Sequence, residues 1–239
     1  MPLDSRRKKQ LKKFLTKLGL TEQAQVNWSL LDLALTHPSI STSANYEQLE
    51  FLGDAVIRLI TAEVLLETYP QESVGEFAAL RSVMVSDKTL AQLAENFGLE
   101  QYLLMSETIA KDPGSKTSRL ADSMEAVLGA LYLSSQNMRL IRPWLDQFLH
   151  KKATEIRQDP ARCNYKDALQ EWSQAQYKTL PHYEVQENKV RKDYRDRFIA
   201  RVFLNNRLLG EGCGPSKKAA QQVAAQQALL SLNYLKKNL

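Results

Sequence analysis

The sequence predicts two domains, an all-α domain followed by a small α+β domain of order αβββα. Three observations lead there. From Leu11 to about Leu149 apolar residues recur at helical spacing, with no alternating run of useful length. A polar, charged stretch containing Pro160 follows. Beyond it the texture changes to one helix, three short runs of β-formers and an Ala-rich helix. The expected boundaries are 8–150 for the first domain, 151–162 for a linker and 163–234 for the second.

Leu11, Phe14, Leu15 and Leu18 form an amphipathic stripe whose other face carries Lys12, Lys13 and Lys17, and Gly19 stops that helix. A long helix is expected over Tyr46–Tyr69, ended by Pro70, and another over Glu76–Phe97, ended by Gly98. The turn cluster Lys111–Ser115 precedes a helix over Ser118–Ser135. Lys151–Arg162 has little apolar periodicity and reads as linker. In the second domain Tyr165–Gln176 is helical, and Tyr183 and Val185 begin a strand. Arg197–Leu204 is the second strand, Asn205-Asn206 a turn and Arg207–Gly212 the third strand. Ser216–Leu232 closes the order, with small residues that allow close packing on a sheet.

Composition narrows the class. Of 239 residues 44% are hydrophobic and 25% charged, as in a soluble globular chain. Nine Gly, eight Pro and two Cys are too few for a collagen-like, low-complexity or disulfide-scaffold protein. No apolar run nears the roughly 18 residues of a spanning helix, so no membrane association is expected. No apolar stretch follows the basic run Arg6–Lys13, so no secretion signal is expected. Cys163 and Cys213 are expected as reduced thiols in the cytoplasm. Charge is segregated: residues 1–17 hold seven Lys or Arg and one acid, 18–155 ten and eighteen, and 156–239 fifteen and eight. An acidic middle between basic ends suits a polyanion binder if some carboxylates hold divalent cations facing the phosphates.

On a helix, Glu47, Glu50 and Asp54 fall at i, i+3 and i+7, on one narrow stripe. Asp122 and Glu125 form a second pair beside the apolar stripe Leu120, Met124, Val127, Leu128 and Leu131. Carboxylates converging from two helices suit hard divalent cations. Two such ions about 4 Å apart can activate water at a phosphodiester. Spacing alone leaves a second possibility, simple ion pairs of Asp54 with Arg58 and Asp122 with Arg119. His37 has no Ser, Cys and acid around it to form a triad and reads as a structural residue near a helix end.

Glu47–Val56, EQLEFLGDAV, closely resembles the signature stretch of the ribonuclease III family, the double-strand-specific RNA endonucleases. ALTHPS at Ala34–Ser39, GEFAALRSVMVS at Gly75–Ser86 and LADSMEAVLGALYL at Leu120–Leu133 resemble its neighbouring segments, in order. The resemblance implies that Glu50, Asp54, Asp122 and Glu125 are metal-binding acids, with Asp54 and Glu125 the most critical catalytically. Glu47 would lie in the cleft near substrate, and Phe51 would pack across a homodimer interface. Mg²⁺ is the implied cofactor, with Mn²⁺ able to substitute. Many members carry a further acid just before the Gly matching Gly75, where this chain has Val74.

The αβββα order and the run Gly212–Ala225 resemble a double-stranded RNA-binding domain. Such domains span about 16 bp of A-form helix and read 2′-hydroxyls and phosphates rather than sequence. Lys217 and Lys218 fall in the first turn of the last helix, where free N–H groups and the dipole favour phosphate, and Ser216 can cap it. The resemblance puts Gln170 and Glu171 at the minor groove. In the loop between the first two strands the usual Gly-Pro-x-His is replaced by Arg191-Lys192-Asp193-Tyr194, with Tyr194 standing for the His. Lys189, Arg191, Lys192 and Arg195 there would add phosphate attraction. The implied activity is hydrolysis of both strands of duplex RNA by two metal ions, leaving 5′-phosphomonoesters. Its implied substrates are ribosomal RNA precursors and some mRNAs, and DNA is not an expected partner. The alternative is a double-stranded RNA-binding protein that does not cleave.

Overall fold

Asp4 caps the first helix, its carboxylate accepting from the Arg7 N–H at 3.1 Å. That helix, α1 (Ser5–Lys17), buries Leu11, Phe14 and Leu15, and the chain leaves it through Gly19 at φ +77°. The computed structural model describes residues 3–21, 23–159, 164–188 and 196–232. It divides into two compact units, Met1–Thr154 and Glu155–Leu239.

After α1 come α2 (Trp28–Ala34) and the long α3 (Glu47–Thr68), then α4 (Val74–Met84) and α5 (Asp87–Asn96). The single helix expected over Glu76–Phe97 is therefore two. Ser86 is extended (φ −73°, ψ 151°), and its hydroxyl donates to the Val83 carbonyl at 2.8 Å. A Ser that satisfies nearby backbone itself competes with the helix. The break lets α5 turn its buried Leu90, Leu93 and Ala94 while it packs on α7 (Lys116–Ser135). Between them lie a 3₁₀ turn (Leu99–Tyr102) and the short α6 (Glu107–Ala110). Last is α8 (Arg142–Gln158), so 151–158, expected as linker, is helical. Leu145, Leu149, Ala153 and Ile156 are buried and continue one helical stripe through the charged Lys151 and Lys152.

The principal contact of this unit is α3 on α7, and two glycines permit it. A Cβ on Gly53 would stand 1.8 Å from the Glu125 carbonyl oxygen, and one on Gly129 would stand 2.3 Å from that of Leu49. The two backbones touch, Gly53 against Glu125 and Gly129 against Leu49, so side chains next to these positions on the two helices are brought close together.

In the second unit α9 (Tyr165–Tyr177) precedes β1 (His182–Glu187), β2 (Phe198–Leu204), β3 (Arg207–Gly214) and α10 (Lys217–Ser231). The sheet is antiparallel, in the order β1-β2-β3, with Val185 opposite Ala200 and Ala200 opposite Gly212. Asn205 and Asn206 both take left-handed φ, +49° and +63°, as a two-residue hairpin turn matched to strand twist requires. Ala220, Ala224, Ala225 and Ala228 of α10 meet Leu169, Ala200 and Val202 in the core. The closeness expected of the Ala-rich helix is matched on β3, where Gly210 and Gly212 leave no room for a Cβ beneath Ala224. Among the described residues no helix is long and apolar enough to cross a membrane.

Candidate active site

The start of α3 is fixed by the segment before it. The Tyr46 N–H donates to the Thr36 carbonyl at 3.0 Å, and Asn45 accepts from the Glu47 N–H at 3.0 Å. His37 sits just beyond α2, its Nδ1 accepting from the Ser39 N–H at 2.9 Å and its ring edge-on to Tyr46. It is thus a structural residue near a helix end. Burial and the Arg119 charge hold its pKa below the ordinary value.

From this start α3 carries Glu50 to the contact with α7, which supplies Asp122 and Glu125. One ligand oxygen from each of the three lies within 4.8 Å of the other two. All three are half-buried, and crowding shows in their protonation. Burial, then Asp54, Asp122 and Glu50, pushes the Glu125 carboxyl up to about 8. Burial followed by Asp122, Glu47 and Asp54 raises Glu50 to about 6, and burial followed by Asp87 raises Asp122 to about 6. Partly desolvated carboxylates that repel one another form a pocket of negative potential, which a hard divalent cation relieves. The donor set fits such an ion.

Asp54 stands apart from this trio. Both of its oxygens accept from Arg58 Nε, at 2.7 and 2.8 Å. The ion pair open to Asp54 in the sequence is therefore formed, while the one open to Asp122 is not. Arg119 is buried and turns to Glu100 at 3.2 Å, the Ile109 carbonyl at 3.1 Å and Ser115 Oγ at 3.0 Å. Glu47, one turn before Glu50, is exposed and adds to the charge on it. Val74 is exposed at the start of α4.

Two residues of this neighbourhood went unread in the sequence. Asp87, in the first turn of α5, adds its charge to Asp122 and Glu125. It lies one residue past the segment ending at Ser86, and only the break between α4 and α5 turns it toward α7. Tyr46 is buried, and desolvation with the charges of Asp122 and Glu50 raises its hydroxyl pKa above the ordinary value. Its position directly before Glu47 was the available signal.

In the second unit Gln170 and Glu171 are exposed on α9. Lys217 and Lys218 are exposed in the first turn of α10, where Ser216 Oγ accepts from the Ala219 N–H at 3.1 Å. The free N–H groups of that turn and both ammonium groups thus share one exposed helix end. Tyr194, with Lys189, Arg191, Lys192 and Arg195, lies outside the described residues.

Residues 47–136 match the Ribonuclease III domain, and residues 165–232 match the Double-stranded RNA binding motif. A protein of Nostoc sp. named Ribonuclease 3 2 is 57% identical over 227 residues, covering 95% of this chain and 94% of its own. The Ribonuclease 3 of Gloeobacter violaceus is 43% identical over 227 residues, covering 93% and 91%. In structure, the nuclease domain of ribonuclease III from Campylobacter jejuni is similar at a TM-score of 0.51 and 29% identity. That likeness covers 61% of this chain and 96% of the other. With two ordered domain matches and relatives that share nearly its whole length, the chain belongs to the ribonuclease III family.

Proposed function

We propose that the chain is a divalent-cation-dependent endoribonuclease that cuts both strands of duplex RNA, leaving 5′-phosphate and 3′-hydroxyl ends. The observation behind this reading is the convergence of Glu50, Asp122 and Glu125 at the α3–α7 contact, on a chain that also has a double-stranded RNA binding motif. In the reading, Glu50, Asp54, Asp122 and Glu125 hold the metal, Mg²⁺ or Mn²⁺ in its place, and Asp54 and Glu125 are the acids on which catalysis most depends. For Asp54 this requires its carboxylate to leave Arg58. Two bound ions would activate a water and neutralise charge on the leaving oxygen. Glu47 borders the substrate in the cleft.

The second unit supplies affinity. Gln170 and Glu171, Tyr194, and Lys217 with Lys218 contact the duplex, the lysines at phosphates. The domains run over 8–150 and 163–234, and precursors of ribosomal RNA and some mRNAs in the cytoplasm are the substrates. The enzyme works as a homodimer. Phe51 is 84% exposed and shares the outer face of α3 with the exposed Leu59 and Leu66, an apolar row that a second copy would cover. The Campylobacter nuclease domain is described by its region involved in dimer formation.

The test is a labelled RNA duplex of unrelated sequence, incubated with and without Mg²⁺ and resolved on a gel. Mg²⁺-dependent double-strand cuts are expected, and they should vanish with Glu125→Gln. Retention of the duplex without cutting by the unmodified protein would return the chain to the class of non-cleaving binders.

A further inference from the structure

We infer that α1 presents a second phosphate-binding surface to duplex RNA, a row formed by Arg6, Lys9 and Lys13 on the nuclease unit. The inference rests on the duplex-RNA reading above and goes beyond it, because that reading gives affinity to the second unit alone.

The fold holds α1 by one face. Leu11, Phe14, Leu15 and Leu18 are buried, and Arg7 is tied to Asp32 at 2.6 Å and to the Tyr102 carbonyl at 2.8 Å. One face of the helix is therefore fully used by the fold. Lys8 and Lys17 lie over the rings of Trp28 and Tyr102. On the opposite face Arg6, Lys9 and Lys13 follow at i, i+3 and i+7, all exposed. None of these three side chains has a hydrogen bond or ion pair among the described residues, and together they span about 10 Å along the axis.

The row works against its own helix. Like charges three and four residues apart repel. Arg6 also stands in the first turn, where the macrodipole disfavours a cation, and beyond the capping Asp4 no acid occupies that turn. A row of phosphates relieves both. It also answers a difficulty of the whole unit, since residues 18–155 carry eight more acids than bases and repel a polyanion. A basic amphipathic helix is also a form that lies on membranes, but there the apolar face enters the lipid. Here that face is buried in the domain. A polyanion met by charge alone is what remains, and RNA is the one this fold handles.

The test compares the full chain with Arg6→Gln/Lys9→Gln/Lys13→Gln. Affinity for a labelled RNA duplex is measured across a salt series in Ca²⁺, with Lys217→Ala/Lys218→Ala alongside. The triple variant should bind several-fold more weakly at low salt. Its log–log salt slope should be shallower by about two to three units. The Tm should not fall, and single-turnover cleavage at saturating RNA in Mg²⁺ should match the unmodified protein. A folded triple variant with unchanged affinity and slope overturns the inference. So does an unchanged RNA slope with lost binding to phosphatidylserine vesicles, which would give the row to lipid. If the slope shifts only with Lys217→Ala/Lys218→Ala, the proposed function stands and this inference falls. If the unmodified protein binds no duplex, both fall together.

Discussion

Glu125 feels its surroundings more than any other acid of the cluster, and two outcomes follow from it. Its folded-state pKa of about 8 lies above the ordinary value of 4.5. In the metal-free protein this group therefore contributes stability below about pH 4.5, which is lost as pH rises toward 8. Glu50 and Asp122 act in the same direction, up to about pH 6. Metal-free protein should melt at lower temperature at pH 8 than at pH 6, and Mg²⁺ should raise the Tm more at the higher pH. Calorimetric scans at the two values check this. Glu125→Gln removes the buried charge while keeping the shape. It should stabilise the metal-free fold at pH 8 by on the order of 1 kcal/mol, or about 2–4 °C. The same change should lower single-turnover cleavage by orders of magnitude while duplex binding survives. Near-normal cleavage by Glu125→Gln would remove this residue from the site.

At the scale of elements, the site exists because α3 and α7 touch at their backbones. Gly53→Ala places a methyl group 1.8 Å from the Glu125 carbonyl oxygen, which no rotamer change relieves. The helices must separate, at a cost of about 3 kcal/mol or more, and Glu50 must move away from Asp122 and Glu125. Thermal melting should show a loss on the order of 10 °C, and calorimetric titration should show weaker Mg²⁺ binding. An unshifted melt would mean that the contact is looser than the structure has it. The first turn of α10 permits a separate expectation. If Lys217 and Lys218 meet phosphates, replacing both with Ala should make the salt slope of duplex binding shallower by about one to two units. Cleavage should persist at high protein concentration and low salt, because the acids lie in the other unit.

For the whole molecule the proposed dimer rests on the exposed row on α3. Phe51 contributes little to the fold of a single chain, being 84% exposed. Phe51→Ala should therefore leave the Tm of the dissociated protomer nearly unchanged. An aromatic anchor at the centre of an interface is worth about 2 kcal/mol or more, which is roughly thirty-fold in the dimer dissociation constant. Sedimentation velocity at a series of concentrations should show that shift. A Phe51→Ala protein that dimerises as tightly as the unmodified one would take the residue out of the interface.

The sequence by itself determined the class of each half, because side-chain periodicity is local. The stripe at Leu11–Leu18, the ending at Pro70, the Asn205-Asn206 turn and the Ser216 cap all depend on residues within a few positions of one another. It also displayed Glu50, Asp54, Asp122 and Glu125 as acids on two helices, since spacing along a helix sets the face. Tertiary structure decided which of them meet. The meeting of Glu50 with Asp122 and Glu125 depends on Gly53 and Gly129, 76 residues apart, fitting into one crossing. The break at Ser86 adds Asp87 to the cluster, and periodicity runs across it because both halves bury the same kind of side chain. The helix over 151–158 was hidden for the converse reason, as its charged residues outnumber the two, Ala153 and Ile156, that are buried. Local order follows from neighbours in the chain, whereas the charge and geometry of the site follow from which helices can come close enough to touch.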